Sequence, residues 1–464
     1  KMDSNTALSF AKSINGDLCR PVSLIALLGT GVLFTIKLKG IQLTKLKTAV
    51  KQIFSKPEKE TDEVGLSSFQ SLATAIAAQV GTGNLAGVAT AIASGGPGAI
   101  FWMWISAFFG MATIFAEAVL GQLFRKTDNG ELVGGPAYYI KYGLKNKFLA
   151  GFFAVSIILA LGFMGNMVQS NSIALVVNNA FHIPKIIVGI VVAVLAYMIF
   201  SGGVERIGSF TEKIVPFMAA LYILGTLVIV SLHHENIIPA FKMIIYGAFN
   251  PKAIAGGFIG ATVKESIRYG VARGLFSNEA GMGSTPHAHA VAKVDDPVQQ
   301  GLVAILGVIV DTGVVCTLTA LVILTTGVID TGLTGAELTQ KAFEVGLSNF
   351  GNMGSYFVAI SLFFFAFSTI IGWYYFGEMN IKYLFGRDAV KYYRMIVPVL
   401  LILGTTLEVE LVWELADTFN ALMVIPNLIA LVGLSGLVVK AVDDFDNKYK
   451  LEYPRERSVR VEKV

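Results

Sequence analysis

The stretch AQVGTGN at 78–84 sets two glycines around a threonine inside an uncharged run, 68–94, long enough to cross a bilayer. Glycine inside a helix costs roughly 1 kcal/mol relative to alanine. An unpaired peptide group inside lipid costs more, so an interruption is tolerated only where it lines a cavity or binds something. The expectation is a helix broken at Gly81, Thr82 and Gly83, offering open N–H and C=O groups to a small solute at mid-membrane. The competing reading is close packing of two helices through small residues. The amides Gln79 and Asn84 flanking the break favour the first and extend its polar lining.

The chain around this stretch is apolar throughout. Of 464 residues, 54% are hydrophobic and 15% charged, which describes an all-α polytopic membrane protein rather than a soluble domain. Eleven spans are expected near 21–37, 68–94, 97–122, 150–179, 185–202, 208–232, 262–292, 298–327, 354–384, 392–408 and 412–439. The seventh is crowded by Lys264, Glu265, Arg268 and Arg273, as the outer end of a half-helix facing water or protein would be. Residues 236–260, with Pro239, Pro251 and Gly256-Gly257, read as an interfacial connection. Cys19 and Cys316 lie in different settings, against a disulfide framework or a thiolate metal site. The polar segment before the first run lacks a cleavable signal pattern.

Positive charge orients the spans. Segment 37–59 carries seven lysines, among them Lys37, Lys45 and Lys51, and the tail carries Lys440, Lys448, Arg455 and Arg460. Both belong in the cytoplasm by the positive-inside rule, which places the N-terminus outside for an odd number of spans. The basic segments 123–149 and 385–394 fall inside on this scheme, while Asp330, Glu337, Glu408 and Glu410 fall outside.

A second break is expected in GLFSNEAGMGSTP at 274–286. Two interruptions, each opening a five-helix unit, are what an inverted repeat requires, with the second unit entering from the opposite face. The chain then divides into 1–66 (tail, extra span and basic segment), 67–250 and 251–440 (the two five-helix repeats), and 441–464 (a basic cytoplasmic tail).

A zwitterionic amino acid suits this pair of breaks. Its carboxylate would take the N–H groups of Gly81, Thr82 and Gly83 at the positive end of a half-helix. Its ammonium would take carbonyls near Phe276, Ser277 and Asn278. Asn166 and Gln169, one turn apart, either face the same cavity or bond between helices. Ser368 and Thr369 either bond back along their helix or serve a hard monovalent cation such as Na⁺. Trp373 either caps the cavity against large side chains or packs between helices. Asp311 is an ion ligand, a proton carrier or a neutral acid bonded to Thr312 or a neighbouring helix; the same alternatives hold for Glu117, with pairing to a basic residue as a further one. His287 and His289 are expected near a cytoplasmic helix end, solvated rather than binding metal. No cluster of His, Cys or carboxylates supports a membrane-embedded enzyme, and GTGN lacks the Lys-Ser/Thr of a phosphate loop. Nothing calls for nucleic acid or an obligatory protein partner; the bilayer and a small solute are the expected partners. A channel is the remaining alternative class.

The strings SFQSLATAIAAQVGTGNLAGVATAI, GGPGAIFWMW, GGPAYYI and GLFSNEAGMGS resemble the alanine or glycine:cation symporter family of prokaryotes over nearly the whole chain. The resemblance implies a LeuT-type core of five plus five helices, here with one extra N-terminal span, and Na⁺-driven uptake of alanine, glycine and similar small neutral amino acids across the cell membrane. It also implies a sodium site made by the carbonyls of Ala77, Val80 and Phe365 with the hydroxyls of Ser368 and Thr369. A second cation or proton site would use Gln79, Asn84 and Asp311, although Gln79 and Asp311 depart from the residues familiar there. Coupling to protons through Asp311 is the nearest rival.

Overall fold

The structure is a computed structural model that describes residues 20–54, 57, 62–250, 262–407 and 409–449. The N-terminal tail with Cys19, the stretch 251–261 with Pro251 and Gly256-Gly257, Glu408, and the tail from 450 onward lie outside the described residues.

Helix α1 (Arg20–Lys37) is followed by two short helices, α2 (Ile41–Thr44) and α3 (Leu46–Gln52). Helix α4 (Ser68–Gln79) opens on a capping box in which Ser67 and Gln70 satisfy each other's backbone N–H groups. It ends where the sequence anticipates. Val80 is extended (φ −83°, ψ 92°), and a wide π turn at Gly83–Gly87 leads into α5 (Val88–Gly95). The two halves are bent by 51°. Helix α6 (Ala99–Leu123) leads to a hairpin, β1 (Lys126–Asp128) paired antiparallel with β2 (Glu131–Val133), and then to α7 (Pro136–Tyr142). A long rod follows, α8 (Lys147–Ile157) joined to α9 (Asn166–Phe181) by a π stretch at Ile158–Gly165, then α10 (Lys185–Phe200), α11 (Gly203–Leu232) and α12 (Ile237–Phe249).

The second interrupted element begins like the first. Helix α13 (Val263–Asn278) starts at a capping box between Thr262 and Glu265, which gives the charge at Glu265 a local purpose. It stops at Asn278, turns through Gly281 (φ 84°) and Gly283 (φ 82°), and resumes as α14 (Pro286–Ala290). Then come α15 (Pro297–Val308) and α16 (Thr317–Thr325), joined by a π stretch at Ile309–Cys316, followed by α17 (Gly335–Gly346), α18 (Met353–Phe385), α19 (Val390–Gly404), α20 (Val409–Gly433) and α21 (Ser435–Tyr449). Helix α17 lies where the sequence reading placed only an outer acidic loop. It packs on the first broken element, with Thr339 donating to the Leu85 carbonyl at 3.0 Å.

Among the described residues, six helices are long and apolar enough to cross a membrane, or seven if the bent pair counts as one. Leu24–Lys37 and Lys185–Phe200 are apolar but shorter. The exterior is the reverse of a soluble protein's. Ile186, Ile190, Val194 and Met198 on α10 and Phe217, Leu224 and Val228 on α11 are exposed, while Gln79, Asn84, Glu117, Asn166, Gln169 and Asp311 are buried. Helix α6 packs against α13 and α15, and α18 against α4 and α9, so both breaks sit inside the bundle. Leu66, just before the first broken element, forms a bridge with Ala292, just after the second.

Candidate functional site

The first break meets α18. Thr369 Oγ1 donates toward the Ala77 carbonyl at 2.9 Å and the Val80 carbonyl at 3.3 Å, and toward its own Phe365 carbonyl at 2.9 Å. Ser368 Oγ lies 2.9 Å from Phe365 O and 3.4 Å from Ala77 O. Back-bonding along the helix and approach to the break therefore occur together, and the two readings of these hydroxyls are not exclusive. Ala77 and Val80 turn their carbonyls outward because the helix stops at Gln79. The result is a cluster of five neutral oxygens, the donor type that suits a hard cation of single charge. Met218 closes one edge, its sulfur 3.3 Å from Ser368 Oγ; the sequence offered no sign of it. A Cβ at position 81 would lie 2.5 Å from Thr369 Oγ1, so any larger residue there must displace that hydroxyl or the break.

The two breaks touch each other. Gly83 packs on Ser277, whose Cα would be 3.4 Å from an added Cβ. Gln79 Nε2 donates to the Asn278 carbonyl at 2.7 Å, so that carbonyl is engaged by the opposite break. The Gly81 N–H is likewise engaged, by Asn84 Oδ1 at 2.9 Å. Gln169 straddles Thr82, its Oε1 3.4 Å from the Thr82 N–H and its Nε2 3.2 Å from Thr82 Oγ1. Asn166 bonds back to Gly162 O at 3.0 Å. The side-chain oxygens of Asn166 and Gln79 are buried acceptors without a partner, a rarity in a folded core. Phe276 stands at the edge of a separate cavity of about 140 Å³, shared with Arg268, Arg273 and Leu27.

Asp311 sits on the π stretch between α15 and α16 and is fully buried. Its carboxylate accepts from Asn84 Nδ2 at 2.6 Å, Ser277 Oγ at 3.0 Å and Thr312 Oγ1 at 2.7 Å. Asn84 thus turns its amide NH₂ to Asp311 and its oxygen to Gly81, and Asp311 holds both breaks through their side chains. Cys316 Sγ lies 3.3 Å from Asn84 Nδ2 and 3.4 Å from Ser277 Oγ.

Two expectations are corrected. Glu117 finds backbone amides rather than a basic partner: Gly281 N and Gly283 N each donate at 2.9 Å, and Asn427 Nδ2 at 2.7 Å. The turn at the second break exposes amides that need an acceptor, and Glu117 supplies it. His287 and His289 are buried, not solvated, because the short helix α14 carries them inward. His287 stacks between Phe153 and Phe376 and bonds to Asn380 at 2.8 Å, while His289 meets Gln300 at 2.8 Å. Among the described residues no group of three His, Cys, Asp or Glu side chains is placed to hold a metal ion. Glu279, a buried acid within the break, was passed over in the sequence; it accepts from Trp373 Nε1 and Ser284 Oγ, both at 2.6 Å.

Two interrupted helices packed break to break inside an apolar-faced bundle define a membrane transporter, and the comparisons with known proteins place it more closely. The sequence profile of the sodium:alanine symporter family matches residues 4–458. The sodium/alanine symporter AgcS of Methanococcus maripaludis is 46% identical, covering 96% of this chain and 98% of its own. Two Bacillus subtilis proteins are similar to it as well. The putative sodium/proton-dependent alanine carrier YrbD is 41% identical over 95% of this chain and 93% of its own, and the probable sodium/glutamine symporter GlnT 40% over 92% and 88%. Among solved structures, a manganese transporter of Eremococcus coleocola superposes with a TM-score of 0.57 at 13% identity, covering 84% of this chain and 89% of its own. MhsT in complex with L-phenylalanine gives 0.55 at 14%, covering 82% and 99%; these two likenesses concern the fold alone. The chain belongs to the sodium:alanine symporter family. It is a multi-pass membrane protein of the amino-acid:cation symporter class with a LeuT-like fold.

Proposed function

We propose that this protein imports small neutral amino acids, alanine and glycine foremost, together with Na⁺ by alternating access. The observation that carries the reading is the convergence of Ala77, Val80, Phe365, Ser368 and Thr369 oxygens between the first break and α18. A sodium ion held there would tie the broken helix to α18 and stabilise the solute-competent state. The solute carboxylate would lie at the amides of Thr82 and Gly83, next to Gly81, with Gln169 alongside. Its ammonium would face the C-terminal carbonyls of α13 near Phe276 and Ser277 and the orphan oxygens of Asn166 and Gln79, with Asn278 behind them and Trp373 bounding the side chain. Coupling of this kind is reciprocal: whatever factor Na⁺ adds to alanine affinity, alanine adds to Na⁺ affinity.

The reading carries with it eleven spans in a five-plus-five inverted repeat, with repeats at 67–250 and 251–440, an outer N-terminus and a cytoplasmic C-terminus. The paired capping boxes support it. So does the Leu66–Ala292 bridge, since inversion brings the start of one broken element beside the end of the other. A cavity of about 480 Å³ gathers Val64, Asn129, Glu131, Gly202, Glu205 and Lys382, from segments assigned to the cytoplasm and the adjoining ends of two spans.

The double variant Ser368→Ala/Thr369→Ala tests the cage. Half-saturating Na⁺ for alanine uptake into proteoliposomes should rise at least about tenfold, equivalent to roughly 1.4 kcal/mol. An unchanged sodium response would remove the pair from the mechanism. A second reading, proton coupling through Asp311, draws on that carboxylate's burial between the two breaks. Uptake driven by an imposed Na⁺ gradient with the pH gradient collapsed supports sodium; uptake that needs the pH gradient supports Asp311.

A further inference from the structure

Trp373 follows Thr369 by one helical turn, so it shares the face of α18 that meets the first break. Two contacts fix its ring. One side lies against Gly165 at the end of the π stretch, where an added Cβ would come within 2.7 Å of the indole. At the other, the indole N–H donates to Glu279 Oε1 at 2.6 Å. Glu279 is itself held. It is 1% exposed, its second oxygen accepts from Ser284 Oγ at 2.6 Å, and its backbone has φ 59°, a left-handed conformation uncommon outside glycine and asparagine. That conformation ends the helix at its C-terminal cap, with the Glu279 N–H on the Leu275 carbonyl and the carboxylate on the Trp373 indole.

We propose that Glu279 sets the solute-size limit of this transporter by pinning the Trp373 indole across the site. The proposal rests on the placement of the solute against Trp373 given above. Glu279 is a positioning residue: it touches the ring, and the ring touches the solute. Because Glu279 ends the first half of the second broken element, solute size and the shape of that break are held by one carboxylate. An indole released from it can swing toward the gap left by the lost carboxylate and lengthen the space for a side chain.

The test is alanine uptake by full-length protein in proteoliposomes, with leucine as competitor. The readout is the ratio of leucine inhibition constant to alanine KM. Glu279→Ala should lower that ratio about tenfold, the scale of one buried hydrogen bond. Trp373→Phe keeps an aromatic ring and removes the N–H, and should lower it similarly. The two together should lower it no further than either alone, because they break the same bond. Glu279→Gln should keep the original ratio, since its amide oxygen accepts the same N–H and its NH₂ can donate to Ser284 Oγ. Should Glu279→Ala fail to fold, Trp373→Phe and Glu279→Gln still decide. An unmoved ratio in Trp373→Phe, additive effects in the double variant, or a lowered ratio in Glu279→Gln would overturn the proposal. Failure of the wild-type protein to take up alanine would instead overturn the solute assignment beneath it.

Discussion

Gly81 is where the smallest side chain decides most. A methyl group there would meet Thr369 Oγ1 at 2.5 Å, so Gly81→Ala must turn the hydroxyl out of the oxygen cluster or push the break away from α18. Overpacking of this sort costs about 1–3 kcal/mol. Half-saturating Na⁺ for alanine uptake should therefore rise by about tenfold or more. A normal sodium response in this variant would detach Gly81 from the cluster. Residues such as Gly81, Ser368 and Asp311 were legible because each breaks the apolar pattern around it. Glu279 broke the pattern equally but stood among so many polar neighbours that its own signal was lost. Met218 left none, since a methionine in an apolar span looks like packing.

Among elements, the second break is the more elaborately supported. Helix α13 is followed by a turn with two glycines of positive φ, whose N–H groups point at Glu117 on α6. Asn427 of α20 binds the same carboxylate and the Gly281 carbonyl at 2.9 Å, and Tyr139 of α7 donates to Asn427. Glu117→Gln would face one of these donors with an amide NH₂. Leaving a buried donor unmade costs about 1–3 kcal/mol, so the thermal midpoint in detergent should fall clearly below that of the wild type. An unchanged midpoint would show that Glu117 does not support the turn. The sequence located this break to within a few residues. It could not show that Glu117 closes it, because the two lie 164 residues apart and on different elements. The same distance in sequence hid the burial of His287 and His289, whose short helix is drawn inward by Gln122 donating to the His289 carbonyl at 2.5 Å.

At the scale of the whole molecule, ion pairs tie together the walls of the cavity on the face assigned to the cytoplasm. Lys382 near the end of α18 bridges Glu131 of the hairpin at 2.7 Å and Glu378 at 2.9 Å; Arg387 adds Glu131 at 3.1 Å and Asp128 at 3.4 Å. The latch joins the two proposed repeats and must part if that face opens. Its members are unequal. The Lys382 and Glu378 side chains are 9% and 2% exposed, whereas those of Arg387 and Asp128 are 37% and 51% exposed. Exposed pairs contribute about 0–1 kcal/mol, while stranding a buried carboxylate costs about 3 kcal/mol or more. Lys382→Met should lower the thermal midpoint distinctly more than Arg387→Ala, as read by intrinsic fluorescence on heating. Equal effects would mean that Lys382 carries no special share of this tie.

By itself the sequence determined that this chain is a bundle of lipid-facing helices with two interruptions, and which short strings form them. Apolar runs, misplaced glycines and the distribution of lysine are local signals, and lipid enforces them residue by residue. Tertiary structure alone decided which groups meet: that Gln79 closes on Asn278, that Asn84 turns its oxygen to Gly81 and its NH₂ to Asp311, and that Glu117 and Glu279 serve the second break. The reason is physical. A buried polar group must find a partner, but the partner's position along the chain has no bearing on the strength of the bond, so only the packing of helices selects it.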